Sequence, residues 1–318
     1  MNGTSIAKFL MKLAETHPIS PDTKIGELQE VFRHNVFLYA SETRQKQLML
    51  ASSMAKYRSE LDYPWDTYFG LQLSPFLEDK VVLDLGCFNG GRSVAWFERY
   101  KMDMLFGVDV DQVFIHSATQ FATFKNVKAT FTVSKGEELP FEETTFDAVL
   151  SFDVFEHVQN LEKTLDECWR VLKPGGRLFV VFPGYFHPIE HHLGLATQMP
   201  FIHYFFNSKT LINAYCQILD ERGNEAYWYR RHSSEPEKWE RCNTINGTTL
   251  SRFKRLLRNR HWTVVLHSRR PIGSIGRNIT KQKFSLMLSR LCYPLACLPG
   301  IQEICLHRIT YILQKNGQ

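Results

Sequence analysis

Two spacings of hydrophobic residues divide this chain. Over residues 1–60, apolar positions recur every three or four residues, as in "SIAKFLMKLAE", and no alternation of apolar and polar positions interrupts them. This spacing predicts helices. From about Lys80 onward, short apolar runs alternate with stretches of roughly 10–15 residues at helical spacing, and this order predicts a parallel sheet with helices on both of its faces.

The second pattern is regular enough to assign individual elements. Strands are predicted in "KVVLDLG", "MLFGVDV", "VKATFTV", "FDAVLSFD" and "RLFVVFP". The alternation stops after Phe182 for about 60 residues that are rich in His, Tyr and Phe, and it resumes with "WTVVLHS" and "HRITYILQ". We therefore predict a helical cap over residues 1–78 and an α/β domain over residues 79–318, with inserts at about 184–245 and 270–303.

The loop after the first predicted strand carries candidate binding residues. In "VVLDLGCFNGG" an acid, Asp84, stands near the end of the strand, and Gly86 and Gly90 follow. Ligands of open α/β sheets bind beyond the carboxyl ends of the strands, where a glycine turn lets the backbone approach and the next helix offers free N–H groups. Asp109 closes the second strand about 20 residues further on, a spacing that suits an acid binding ribose hydroxyls. The pattern predicts a bound nucleoside.

Phe88 distinguishes between two kinds of nucleoside. The dinucleotide fingerprint G-x-G-x-x-G needs its second glycine to make room for a pyrophosphate, and Phe88 stands at that place. Its ring would crowd the phosphates. We therefore favour a nucleoside joined to an amino acid over a dinucleotide.

Four motifs between Lys80 and Phe182 resemble those of one enzyme family. They are "VLDLGCFNGG", "GVDV", "EELPFEETTFDAVLSFDVFEHV" and "CWRVLKPGGRLFV", in this order. The run resembles the class I S-adenosylmethionine-dependent methyltransferases, in particular the methyltransferase-11 group with its quinone, sterol and small-metabolite enzymes. The resemblance implies a Rossmann-like, seven-stranded sheet and S-adenosyl-L-methionine as cofactor.

The resemblance also assigns cofactor contacts by position. Asp84 is expected to reach the amine of the methionyl part, Asp109 the ribose hydroxyls, and Val110 the adenine. The full set of expected cofactor-binding residues is Asp84, Gly86, Cys87, Asn89, Gly90, Asp109, Val110, Gly136, Glu137 and Phe152. Lys135 departs from the family pattern, because many members have an acid there that accepts a hydrogen bond from adenine, and lysine cannot accept one.

Acceptor-binding residues are expected in the insert "FPGYFHPIEHHLGLATQMPFIHYFF", which follows the fifth strand directly. Methyl transfer needs a base only where the acceptor must lose a proton. The candidate catalytic residues are His157, His191, His192 and Tyr185. His187 and His203 belong to the same cluster, and structural histidines are the alternative interpretation. A metal site formed by His187, Glu190, His191 and His192 is conceivable, but none is predicted, since their spacing is not a standard zinc pattern.

The N-terminal helices are expected to cover the cofactor. In this interpretation Trp65, Tyr68 and Phe69 face the pocket. The alternative is that these aromatic side chains belong to the hydrophobic core.

Three functions are compatible with these residues. The leading hypothesis is an enzyme that methylates a small or amphipathic acceptor on oxygen, carbon or nitrogen. The alternatives are an RNA methyltransferase and a non-catalytic, cofactor-binding partner subunit. The net charge of +5 is too small to indicate nucleic acid by itself, and no RNA-binding module is recognisable.

The cysteine and charge patterns predict the cellular compartment of the protein and its contact with a membrane. The seven cysteines stand singly, without a CxxC pair, which favours reduced thiols in a cytoplasm. No signal peptide or simple membrane span is recognised. Between Arg241 and Gln302 there are many Lys and Arg residues but no Asp or Glu, next to the apolar "FSLMLSRLCYPLACLPGI". This combination predicts a peripheral contact with an anionic membrane, with a solvated basic face or RNA binding as alternatives.

Overall fold

The computed structural model describes residues 2–16, 42–194, 196–221, 246–258, 261–274 and 283–316. Its strands are β1 (Val81–Leu85), β2 (Met104–Asp109), β3 (Ala129–Val133), β4 (Phe146–Phe152), β5 (Leu172–Phe182), β6 (Trp262–Ser268) and β7 (Ile309–Lys315). Its helices are α1 (Gly3–Leu13), α2 (Glu42–Asp62), α3 (Asp66–Phe69), α4 (Ser74–Leu77), α5 (Gly91–Tyr100), α6 (Gln112–Lys125), α7 (Leu161–Val171), α8 (Ile202–Phe205), α9 (Ser208–Glu221), α10 (Leu250–Arg258), α11 (Lys283–Leu295) and α12 (Gln302–Cys305).

One sheet holds all seven strands in the order β3-β2-β1-β4-β5-β7-β6. Strand β1 pairs in parallel with β2 on one side and with β4 on the other. The hydrophobic alternation predicts a parallel sheet, but β7 runs antiparallel between β5 and β6. This topology confirms the predicted Rossmann-like class I methyltransferase sheet.

The sheet is covered on both faces, as the runs of apolar residues in its strands predict. Alternate residues of β1 enter different cores: Leu83 and Leu85 pack with residues of α7 and α10, whereas Val82 packs with residues of α5 and α6. A strand with two buried faces reads as a continuous apolar run, because successive side chains point to opposite sides.

Helix α2 packs directly on the start of α5, next to the glycine loop. A Cβ at Gly91 would lie 2.1 Å from the carbonyl oxygen of Ser53, so only glycine lets the two helices approach this closely. The Oγ of Ser53 donates to the carbonyl oxygen of Asn89 (2.8 Å), and the Nδ2 of Asn89 donates to the Oγ of Ser52 (2.6 Å). The loop is therefore held from the N-terminal side of the chain.

Helix α1 joins the insert that follows β5. Ala7 and Met11 are buried in a third core with Ile212 and other residues of α9, and Lys8 and Lys12 form ion pairs with Glu221. The division into a cap over residues 1–78 and a domain over residues 79–318 stays a prediction. Residues 17–41 and 222–245, on which parts of the cap and of the first insert fall, lie outside the described residues.

Candidate cofactor and acceptor site

The candidate site lies next to β1, where the chain connects to neighbouring strands on opposite sides of the sheet. From β1 the chain crosses to β2 on one side, and it returns later to β4 on the other. Such a switch point leaves a crevice at the carboxyl ends of the strands. Asp84 in β1, Asp109 at the end of β2 and Phe152 at the end of β4 stand at these ends, so the structure brings the three predicted residues to one edge of the sheet.

The loop between β1 and α5 needs its glycines for two reasons. Gly86 and Gly90 have φ angles of +80° and +72°, in the left-handed region that favours glycine. A Cβ at Gly86 would also lie 2.2 Å from a methyl group of Val154. Phe88 has a positive φ of 49° as well, and its ring packs against Phe114 with 4.2 Å between the centroids.

Asp109 links the second strand to this loop. Its Oδ2 accepts a hydrogen bond from the backbone N–H of Phe88 (2.9 Å), and its Oδ1 accepts one from the N–H of Asp111 (3.2 Å). Burial raises the pKa of Asp109, although these two N–H groups oppose the rise. Each carboxylate oxygen has more than one lone pair, so Asp109 can hold the loop and still accept bonds from two ribose hydroxyls.

Asp84 is almost completely buried, and this changes its acidity. Its Oδ2 accepts a hydrogen bond from the Oγ of Ser93 (2.6 Å). Burial raises the pKa of Asp84 to about 7, despite the opposing effects of this bond and of the nearby Arg92 guanidinium. The carboxyl group is therefore poised to ionise when a cationic ligand approaches.

The predicted adenine contacts lie around the ends of β2 and β3. Val110 is 67% exposed directly after β2, an apolar side chain open to a planar base. Gly136 is buried, and a Cβ there would lie 3.2 Å from the Cγ2 of Thr164. The Oε1 of Glu137 accepts a hydrogen bond from the backbone N–H of Asn160. The backbone of the exposed Lys135 forms an isolated antiparallel β-bridge with that of Glu138.

The other two predicted loop contacts have buried side chains. Cys87 is buried, and burial raises the pKa of its thiol well above the usual value. The amide of Asn89 is also buried and bonds to Ser52 and to the N–H of Gly91. The side chain of Asn89 thus holds the loop. If Cys87 or Asn89 contacts the cofactor, the contact is made by its backbone.

Aromatic and cationic side chains surround Phe152. The guanidinium carbon of Arg92 lies 3.8 Å from the centroid of the Phe152 ring, and the Tyr68 ring meets it edge-on at 5.0 Å. Trp65 and Phe69 are buried in the hydrophobic core on this face of the sheet. They are therefore core residues, as the alternative interpretation of the sequence predicted. Arg92 stands beside a predicted cofactor residue, yet no recognised motif contains it.

Two histidines of the insert, His187 and His191, form hydrogen bonds within the insert through ring nitrogens. The Nε2 of His191 bonds to the carbonyl oxygen of Met199 (3.0 Å), and its Nδ1 accepts from the N–H of Leu193 (3.2 Å). The Nδ1 of His187 accepts from the N–H groups of Ile189 and Glu190. Burial lowers the pKa of His187 to about 3 and that of His191 to about 4, so both imidazoles are neutral.

An arginine that is only 11% exposed joins the insert to the sheet. The Nη2 of Arg308 lies 2.9 Å from Glu190 Oε1, and its Nε lies 3.3 Å from Asp153 Oδ1. Burial opposes the charge of Arg308, but Glu190 and Asp153 outweigh it and raise the pKa of the guanidinium. Sequence reasoning missed this link, because the three residues stand in separate segments and no motif contains Arg308 or Glu190.

The remaining candidate catalytic residues converge beside this link. The rings of His157 and His192 meet edge-on, with 4.9 Å between the centroids. A cavity of about 10 Å³ adjoins His192, which is room for about one water molecule. Its lining includes Tyr185, His191, His192 and the buried Glu156.

Comparison with known proteins identifies the central segment. Residues 83–180 match the family model described as "Methyltransferase domain". The chain is 31% identical over 109 residues to norajmaline N-methyltransferase of Rauvolfia serpentina, covering 34% of this chain and 37% of that protein. It is 33% identical over 104 residues to the chloroplastic tocopherol O-methyltransferase of Arabidopsis thaliana, covering 32% and 30%.

The sequence matches confirm the predicted resemblance, since residues 83–180 match the model of a methyltransferase domain. Such a domain implies S-adenosyl-L-methionine as the methyl donor. The matches span about a third of the length of these two curated relatives. A solved S-adenosylmethionine-dependent methyltransferase from Mesorhizobium loti superposes with a TM-score of 0.47 at 13% identity, over 76% of this chain and 93% of that one.

The position of Asp109 predicts a loss of cofactor affinity in Asp109→Ala. If its carboxylate binds both ribose hydroxyls, the variant loses two charge-assisted bonds of ~1.5–3 kcal/mol each, so affinity for S-adenosyl-L-methionine should fall about a hundredfold or more. Calorimetric titration measures this. Asp109→Asn keeps an acceptor for Phe88, and the exposed Asp103→Ala serves as the matched control. Unchanged affinity in Asp109→Ala would refute the ribose assignment.

The raised pKa of Asp84 predicts that cofactor affinity depends on pH. Below about 7 the carboxyl group is protonated and neutral, and a cationic methionyl amine favours its ionised form. Binding should therefore release a proton at about pH 6, and affinity should increase until the pH exceeds about 7. Titrations over this range, in buffers of different ionisation enthalpy, measure both effects. Asp84→Asn should remove them, whereas Asp147→Asn, in an ion pair with Lys173 at the opposite end of β4, should keep them. An equal pH dependence in all three proteins would contradict the prediction.

Proposed function

We propose that this chain transfers a methyl group from S-adenosyl-L-methionine to a small or amphipathic acceptor. One observation carries the proposal. Asp84 and Asp109 stand at the ends of adjacent parallel strands, around a glycine loop, within the segment that is a methyltransferase domain. Neither the fold alone nor the loop alone would support an activity, but together they support binding of this donor.

The residues present fit the donor at each of its parts. Asp109 takes the ribose hydroxyls, the exposed Val110 lies against adenine, and the positive φ angles of Gly86 and Gly90 let the loop backbone turn beside the donor. Asp84 and Arg92 take the charged groups of the methionyl part, beside Phe152. The bound donor supplies an electrophilic methyl group on its sulfonium. The chain has to exclude water and hold the accepting atom about 3–3.5 Å from this methyl group, in line with the bond that breaks.

The acceptor binds in the insert, beside His157, His192 and Tyr185. His192 stays neutral, because burial lowers the pKa of its imidazole, so one of its ring nitrogens keeps a lone pair. His191 has both ring nitrogens bonded within the insert, so we assign it to the shape of the insert rather than to proton transfer. The two relatives named above methylate nitrogen and oxygen according to their names, and the proposal includes either atom.

A transfer assay tests the proposed function. The full chain is incubated with methyl-labelled S-adenosyl-L-methionine and separate lipid, quinone, sugar and tRNA fractions. We expect labelled product in a lipid or small-molecule fraction. Asp109→Ala should abolish it at subsaturating donor, and Asp103→Ala should retain it. Label in tRNA alone would favour the RNA alternative, and no transfer to any fraction would favour a non-catalytic subunit.

We further propose that the acceptor side faces an anionic membrane. Exposed apolar side chains continue from α11 through the turn after it: Met287, Leu291, Tyr293, Leu295, Leu298 and Ile301. A second exposed group belongs to the insert: Phe186, Ile189, Phe201, Tyr204 and Phe205. The two surfaces are adjacent, because Glu303 of α12 accepts a hydrogen bond from the backbone N–H of Phe186.

Charge favours a lipid surface as the partner of these side chains. The basic residues between positions 241 and 302 have no acidic residues among them, and each Lys or Arg near an anionic bilayer contributes about 1 kcal/mol. Among the described residues, no helix is long and apolar enough to cross a bilayer. The contact we propose is therefore peripheral.

Vesicle binding tests the membrane contact. Phe205 is 75% exposed and Leu291 is 61% exposed, so substituting either with Glu should leave the core intact. Each substitution should weaken binding to phosphatidylserine vesicles roughly tenfold, because a buried Leu or Phe side chain contributes ~1.5–3 kcal/mol. Phe124→Glu, on the exposed side of α6, is the matched control. Equal binding by all four proteins, or binding only to tRNA with a steep dependence on salt, would contradict the proposal.

A further inference from the structure

Three possible metal ligands converge where β4 ends and the insert begins. Glu156, His157 and His192 each offer a ligand atom, and these atoms lie within 4.8 Å of one another. We propose that the three side chains bind one divalent transition-metal ion, and that an oxygen of the acceptor occupies a remaining coordination position. The second part rests on the proposed function, whereas the first part can be tested without it.

Glu156 provides the strongest indication of a missing ligand. Its side chain is 3% exposed, and its Oε2 is buried without a hydrogen-bond partner among the described residues. Its Oε1 lies 3.6 Å from the Nε2 of His157. A buried carboxylate oxygen without a partner is costly, and such groups in folded proteins need an explanation such as an ion or a water molecule. A bound cation would satisfy this oxygen directly.

His192 is oriented as a ligand by its own loop. Its Nδ1 lies 3.0 Å from the carbonyl oxygen of Glu190, so Nδ1 carries the proton and the lone pair of Nε2 is available. Metal-binding histidines commonly have this second interaction, which fixes the tautomer and the ring orientation. His192 also has a φ angle of +58°, and a strained backbone at a non-glycine residue is typical of functional sites.

Space and charge at this position suit one ion. The cavity lined by Glu156, Glu190 and His192 has a volume of about 10 Å³, which is room for about one water molecule. Asp153 and Glu190 share a single cation, Arg308. With Glu156 ionised, the group carries more negative than positive charge, and a divalent ion would neutralise the excess.

The ligand set indicates both the class of metal and its use. Two imidazoles and one carboxylate suit Zn²⁺, Co²⁺ or Fe²⁺ better than Mg²⁺, which prefers oxygen ligands. Three protein ligands leave a position open, as in catalytic zinc sites. Metal bonds of about 2.1 Å bring ligand atoms to about 3.4 Å from one another. The three side chains must therefore move closer together than they are in this structure when the ion binds. An acceptor hydroxyl bound at the open position would lose its proton more readily.

Cobalt binding tests the site without any assay of activity. The full chain is stripped with a chelator and titrated with Co²⁺, whose visible absorption reports low-coordinate nitrogen and oxygen ligands, and Zn²⁺ is then added as competitor. We expect one equivalent of Co²⁺ to bind and Zn²⁺ to displace it. His192→Ala and Glu156→Gln should each weaken binding by at least about tenfold. His116→Ala removes an exposed histidine of α6 and should bind as the parent does.

Two results would overturn the inference. One is the absence of a stoichiometric cobalt spectrum in the parent chain, and the other is an unchanged spectrum in His192→Ala. His192 lies in a loop and is only partly buried, so this variant tests the site even if Glu156→Gln does not fold. Cobalt binding without methyl transfer would instead leave the site intact and refute the proposed function.

Discussion

Parallel pairing of β1 with β2 on one side and with β4 on the other is the constraint on which the rest of this structure depends. Because the chain crosses from β1 to β2 on one side and later from β3 to β4 on the other, a crevice forms at the carboxyl ends of these strands. The loop after β1 must turn there within a few residues, and Gly86 and Gly90 supply the positive φ angles for the turn. The bond from the N–H of Phe88 to Asp109 then fixes the loop against β2.

The acceptor side depends on a second interaction, which involves buried charge. Arg308 is held at the start of β7 between Asp153, which follows β4, and Glu190 of the insert. Burying a charge is costly unless it is paired, and removing one partner leaves an uncompensated charge. This pairing therefore helps to hold the insert against the end of β4, together with the bond from the N–H of Phe186 to Glu303. The position of His192 follows from it, since His192 comes two residues after Glu190.

The sequence allowed most of the sheet to be predicted but little of the acceptor side. Strand and helix boundaries could be predicted because their apolar periods are local, and "VVLDLGCFNGG" places its strand end and turn within eleven residues. Trp65 and Phe69 were ambiguous, since an aromatic residue in a core and one in a pocket have the same local pattern. His191 could not be separated from His192 for a related reason: adjacent histidines look alike until the structure shows that one ring bonds to the carbonyl oxygen of Met199 and the other to that of Glu190. The Arg308 pairing joins three distant segments, and no local pattern encodes it.

The arrangement around Tyr185 connects the proposed chemistry with the proposed surface. Tyr185 lines the cavity together with Glu156, Glu190 and His192, and its ring meets that of the exposed Phe186 edge-on at 5.2 Å. The change from polar to apolar surroundings thus occurs between neighbouring residues. In the proposed function, an acceptor that contacts both groups would place the polar group to be methylated beside His157 and His192, and would keep an apolar part against Phe186 and Tyr204. A wholly polar acceptor would leave this apolar rim exposed to water, and a wholly apolar one would leave the cavity groups without partners. The two sides together favour an amphipathic acceptor.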